Sequence, residues 1–302
     1  MSQELSPRKE FSHRTLGQCA CLAIELECTA IKLGNVHPYA SFSEMNHASF
    51  LIASRAIGNA IDQSMGDRGP IVGRLVHHST LAMMQAAGCN TSLGTILLFA
   101  PLIAAAFQEG HREINPSHVA KALSEMNAAD SKLVYQSIAI AKPGGLGTSE
   151  RMDLFDSPPP CLLEAMSHAS GVDDVALQYG SGFELVFQME ERLVHYRRIS
   201  KNSVLDGIRD LQLELLATRK DSLIRRKGGE FLADQVRDRA SQVYRLRLEN
   251  DPVWWEAWSE LDRWMRQQVD ARGRRIANPG TTADLIAAAL LVGILRQAES
   301  VW

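Results

Sequence analysis

Apolar residues recur at helical spacing along almost the whole chain. Residues 11–31 place Leu16, Ala20, Ala23, Ile24 and Ala30 near one face. Residues 46–63 repeat the pattern with Phe50, Ile57 and Ile61, and residues 71–86 with Val72, Leu75, Val76 and Met83. Such spacing marks amphipathic helices whose apolar stripe faces a core. Further helices are predicted over 117–126, where Ser117 is a candidate cap, and over 129–141. The stretch 161–197 predicts one helix or two, with the break at Gly180 and Gly182. Helices over 203–218, 230–249, 252–270 and 281–299 complete the set. Alternating strand patterns bounded by turns are nearly absent. The pattern therefore predicts an all-α fold, a single compact multi-helix domain over residues 1–302.

One segment breaks the amphipathic rule. "GCNTSLGTILLFAPLIAAA" (88–106) is apolar on every side once it leaves its polar start. A helix apolar all round must be surrounded by protein or lipid. The run is shorter than the roughly 20 residues a membrane span needs, and it holds Gly94, Thr95 and Pro101. It is predicted to be the central buried helix of the core.

The polar start of that helix has a counterpart. "NPGTTADLIAAALLVGIL" (278–295) also runs from small polar residues into an apolar helix. Thr281 or Thr282 is expected to cap a helix beginning near Ala283, and Gly280 to let a ligand approach the backbone. The first turn of a helix has unpaired N–H groups and partial positive charge, which suits phosphate. Asp284 falls in that turn, where a carboxylate can hold magnesium beside a phosphate. Asn90, Thr91, Gly94, Asn278, Gly280 and Thr281 are therefore candidate phosphate-binding residues, with the two helix starts sharing one polyphosphate. The spacing is not that of a P-loop, and no strand precedes it as in a dinucleotide fold.

Other candidates are scattered. "IELECTAIKLGNVHP" (24–38) sets Glu27 before Lys32, Gly34, Asn35 and His37. Glu27 and Lys32 are five apart, too far for a good pair on one helical face, so both are expected to converge on a ligand. "DSLIRRKGGE" (221–230) pairs Asp221 with Arg225 at i, i+4 and offers Lys227 as a basic arm. "GVDDVALQYGSGFE" (171–184) aligns Asp174, Gln178 and Ser181, with Tyr179 as packing. Asp153 is a carboxylate in the long 141–160 loop. Trp254, Trp258, Leu261 and Met265 form a stripe that reads as core or as a dimer seam.

Composition narrows the classes. The chain has 302 residues and a formal net charge of −3, without the basic face that nucleic acid requires. Neither a secretory signal nor a membrane span is visible, so a cytoplasmic protein is expected. Five cysteines, an odd number without a CxxC pair, read as reduced thiols rather than disulfides or a zinc site.

In order along the chain, Glu27 with "KLGNVHP", then "GCNTSLG", "DSLIRRKGG" and "NPGTTADL" resemble the triphosphoribosyl-dephospho-coenzyme A synthase family over residues 20–295. The resemblance implies an all-α enzyme that transfers the triphosphoribosyl group of ATP to dephospho-coenzyme A and releases adenine. It implies ATP as substrate, Mg2+ as cofactor, small-molecule nucleotide and coenzyme partners, and a possible homodimer. Glu27 and Asp284 would then be catalytic and metal-binding, with Asp153 and Asp174 as further catalytic candidates. Lys32, Gly34, Asn35, His37 and Lys227 would join the phosphate set. Lys32-Leu33-Gly34 stands where characterised members have Lys-Pro-Gly, and Leu93 where they have a lysine. These departures keep two alternatives in view. One is a one-carbon (methanopterin-type) coenzyme-biosynthesis enzyme acting on another ribosyl phosphate. The other is a non-catalytic helical protein that binds a coenzyme or partner.

Overall fold

The computed structural model describes residues 14–66, 71–108, 114–144, 158–200 and 203–296. Helix follows helix through them: α1 (Leu16–Thr29), α2 (His47–Ser64), α3 (Ile71–Ala87), α4 (Leu93–Gln108), α5 (Pro116–Ser124), α6 (Ala128–Ala141) and α7 (Leu162–Ala169). Then come α8 (Asp174–Ser181), α9 (Glu184–Ser200), α10 (Val204–Thr218), α11 (Ser222–Leu248), α12 (Trp254–Gln267) and α13 (Gly280–Leu295). Among the described residues the only extended pairing is two isolated bridges, His37 with Ala40 and Val269 with Arg275. The all-α expectation holds, and no described helix is long and apolar enough to cross a membrane.

Three boundaries differ from the sequence reading. The stretch 161–197 makes three helices. Asp173 starts α8 by accepting the N–H groups of Val175 and Ala176, and Gly182 ends it in the left-handed region at φ 65°. The helix expected over 230–249 reaches back to Ser222, across a kink where Gly229 takes φ 82°. The last helix begins at Gly280, before either threonine, and no threonine caps it.

Two apolar clusters organise the packing. The larger takes the buried faces of α1 to α10 together with α13. The smaller joins Leu33, Leu213, Leu216 and Ala277 to α11 and α12. Trp258, Leu261 and Met265 are buried in it and Trp254 is partly buried against it, so these three buried stripe positions are core.

The centre is a pair of helices rather than one. Thirteen of the sixteen residues of α4 are buried, and thirteen of sixteen in α13. Each is apolar all round, so each must be enclosed, and they enclose one another. Packed together, they begin side by side, which puts their polar starts in one place.

α4 carries Pro101 in its interior. Proline has no N–H, so the carbonyl four residues back, on Leu97, loses its helical partner. The Tyr179 hydroxyl donates to that oxygen at 2.7 Å. Tyr179 is therefore more than packing. Tyr179→Phe leaves a buried carbonyl unpaired and is expected to cost about 1–3 kcal/mol. Urea unfolding measures it, and an unchanged midpoint would refute this account of the Pro101 site.

Candidate functional site

A pocket of about 570 Å³ opens where the starts of α4, α11 and α13 meet the end of α1. Glu27, Asn35, Asn90, Thr91, Gly94, Lys227, Asn278, Gly280, Thr281 and Asp284 all line it. Residues far apart in sequence converge there because the two central helices start there.

Asp284 and Gly94 are shaped for each other. The Thr95 hydroxyl donates to Asp284 Oδ1 at 2.6 Å. A Cβ on residue 94 would stand 2.1 Å from Asp284 Oδ2, which no side chain tolerates. Gly94 thus admits the carboxylate of α13 against the first turn of α4. Burial pushes the Asp284 carboxyl up to about 7. The Thr95 hydroxyl opposes that rise, and the carboxylates of Glu27 and Asp221 add to it.

Glu27 and Lys32 pair directly, at 3.1 Å, against the sequence expectation. α1 ends at Thr29 and Ala30 turns extended, so the five-residue spacing is not measured along one helix. Lys32 is fully buried, lies behind Glu27 and donates to the carbonyls of Glu27 and Ala30. It does not line the pocket, contrary to its expected place in the phosphate set. Burial raises the Glu27 carboxyl, and Lys32 holds it down.

Asp221 does not pair with Arg225. Its Oδ1 accepts the N–H groups of Leu223 and Ile224, both at 2.9 Å. Its Oδ2 accepts the Thr282 N–H at 2.7 Å and the Thr282 hydroxyl at 2.8 Å. One buried carboxylate therefore caps α11 and α13 together. Thr281 accepts from Ser222 at 3.1 Å. Gly280 makes room chiefly for Leu223, whose Cδ2 would lie 2.6 Å from a Cβ there.

The 33–37 turn is a brace. Asn35 donates to Asn278 at 2.8 Å and accepts from Gln212 at 2.7 Å. Gly34, at φ 66°, donates to Asp262 and sits where a Cβ would meet Ala277 O at 2.8 Å. His37 receives Arg266 at 3.2 Å, and burial with that guanidinium pushes it down to about 4. Gly34 and His37 support the pocket from outside its lining.

Asp174 is also outside. It lies 3.6 Å from Arg219, and its backbone N–H donates to the Ser222 hydroxyl. Its neighbour Asp173 lines the pocket instead and pairs with Arg226. Asp153 lies outside the described residues.

The sequence reading missed most of the cations. Lys142, Arg226, Arg274 and Arg275 line the pocket with Lys227. The signal was present in "ARGRRIANPG" (271–280), a basic run directly before the second helix start. Leu93 also lines the pocket and adds no charge, so the positive charge there comes from these residues. Among the described residues no group of three His, Cys, Asp or Glu is placed to hold a metal. Glu27 and Asp284 are the two carboxylates at the paired helix starts.

Comparison with known proteins agrees with this architecture. The CitG family, ATP:dephospho-CoA triphosphoribosyl transferase, matches residues 13–301. A crystal structure from Archaeoglobus fulgidus, of a protein proposed to be a triphosphoribosyl-dephospho-CoA synthase, superposes with a TM-score of 0.60. It is 22% identical and covers 83% of this chain and 100% of its own, a likeness of fold. A search among curated proteins gives no match.

Proposed function

Since the chain belongs to the ATP:dephospho-CoA triphosphoribosyl transferase family, we propose that its pocket holds ATP by the triphosphate and transfers the triphosphoribosyl group to dephospho-coenzyme A. The observation that carries this reading is the meeting of two helix starts with the carboxylates of Glu27 and Asp284 in one pocket. Helix starts attract phosphate. A carboxylate beside them suits an acceptor proton.

The chemistry is a glycosyl transfer. An acceptor hydroxyl oxygen bonds to the anomeric carbon of the ATP ribose as the bond from that carbon to adenine breaks. The bonding pair leaves with adenine, which takes up a proton. The acceptor's own proton passes to a carboxylate. Asp284 is the better base of the two, since burial and its acidic neighbours raise its affinity for a proton to near neutrality, where a general base works best. Glu27, paired with Lys32 at 3.1 Å, faces the triphosphate.

Two carboxylates and one buried lysine leave this floor poor in positive charge, so a divalent cation fits it. Glu27 would hold Mg2+, with the phosphates and water completing its shell. Bound there, the ion would neutralise triphosphate oxygens. Asn90 and Thr91 at one helix start, and Asn278 and Thr281 at the other, orient the phosphates. Such a reaction belongs in the cytoplasm, where ATP and coenzyme precursors are found.

The test is adenine release. Purified protein with ATP, Mg2+ and dephospho-coenzyme A should yield one adenine per acceptor consumed, by chromatography. No adenine with this acceptor, together with no effect of ATP on melting temperature, would defeat the proposal.

A further inference from the structure

We propose that the mouth of the pocket carries a second anion subsite, formed by Lys142, Lys227 and Arg275, which takes the diphosphate of the acceptor directly and without a metal. It rests on the reading of the pocket as a two-substrate transferase site.

Charge pairing separates the mouth from the floor. Lys32 is engaged by Glu27, Arg226 by Asp173 and Arg274 by Asp270. Lys142, Lys227 and Arg275 line the same pocket and carry no ion pair among the described residues. Lys227 reaches the segment that carries Lys142. The Lys227 Cε lies 3.1 Å from where a Cβ on Gly144 would stand, two residues beyond Lys142. Lys227 also feels the like charges of Arg226 and of Arg274, the chain neighbour of Arg275, and the carboxylates of Asp221 and Glu44 oppose them without a direct ion pair.

Three unpaired cations on one rim repel one another, and Lys227 is half-buried as well. A bound anion removes both costs. The floor has the reverse balance, with Glu27 and Asp284 against one lysine, so a phosphate reaches it only with a cation. One pocket thus offers a metal-dependent anion site inside and a metal-independent one at its mouth. The reaction brings two anionic groups, the triphosphate of ATP and the diphosphate of dephospho-coenzyme A. The triphosphate ribose must sit by Asp284 to react, which leaves the rim to the diphosphate.

Calorimetry on the full chain in EDTA, with inorganic pyrophosphate as the probe, tests the subsite. Pyrophosphate should bind the parent protein, and Lys142→Gln with Arg275→Gln should weaken it at least tenfold. Both positions reach solvent, and an unchanged melting temperature checks the fold. The Lys142→Gln single variant, at the more exposed position, should give an intermediate loss. Dephospho-coenzyme A should displace the probe in EDTA. No binding in EDTA, equal binding by the variants, or no displacement by dephospho-coenzyme A would each overturn the proposal. Adenine release reports separately on the transferase reading: its failure alongside retained, rim-dependent pyrophosphate binding would sink the reaction and leave the anion subsite standing.

Discussion

Asp284→Asn will lower the turnover for adenine release by on the order of 10³-fold while leaving the fold intact. Asparagine matches aspartate in shape and keeps an oxygen for the Thr95 hydroxyl, which now donates to Asp284 at 2.6 Å. It still fits the space that Gly94 leaves open. What it removes is the site for the acceptor's proton. The same change should not lower stability. Burial and the nearby carboxylates of Glu27 and Asp221 raise the Asp284 carboxyl to about 7. A group whose folded pKa is raised destabilises the fold as pH climbs from its unfolded value through 7, and the penalty is complete above that. The variant should therefore melt at or above the parent temperature at pH 8, and with the parent near pH 4. Loss of activity with retained or improved stability is the mark of a residue kept for chemistry. Turnover within tenfold of the parent would exclude Asp284 as the base.

Helix identity was legible because burial writes itself as periodicity. α2, α3 and α10 fall close to where Ile57, Leu75 and Leu211 repeat at helical spacing. The all-round apolar run of α4 told of enclosure, and that of α13 did so equally, though only α4 was read as central. The joint start of these helices followed from two polar segments of similar design. The pairing inside the site was not legible. Nothing local tells that Asp221 turns away from Arg225 toward Thr282, sixty-one residues on. Nothing local tells that Lys32 folds back on Glu27 once α1 ends. Helical spacing governs contacts within a helix, and these contacts lie beyond a helix end or between helices. The rim cations Lys142 and Arg275 were missed for a related reason. A basic run reads as a solvated surface until the fold shows which charges lack a partner.

Asp221→Ala is expected to be the most destabilising single change among the polar residues of the site, at about 3–5 kcal/mol. The carboxylate accepts three backbone N–H groups and one hydroxyl, from the first turns of two helices. A lost cap costs roughly 0.5–2 kcal/mol at an ordinary helix start. Here two starts lose theirs, and the orphaned donors of Ile224 and Thr282 are buried, where each unmet bond costs roughly 1–3 kcal/mol. Burial pushes the Asp221 carboxyl up, and its hydrogen bonds from Ile224 and Thr282 oppose that rise. Asp221→Asn separates the contributions. It retains an acceptor for one helix and turns an amide N–H toward the other, so about half the loss should remain. Urea unfolding gives the ordering parent, asparagine, alanine. The consequence for activity is indirect. Asp221 anchors the turn of α13 that presents Thr281 and Asp284, so the asparagine variant, still folded at 25 °C, should show reduced turnover with weakened ATP binding. An alanine variant as stable as the parent would mean that the two helix starts are held by packing, not by the shared cap.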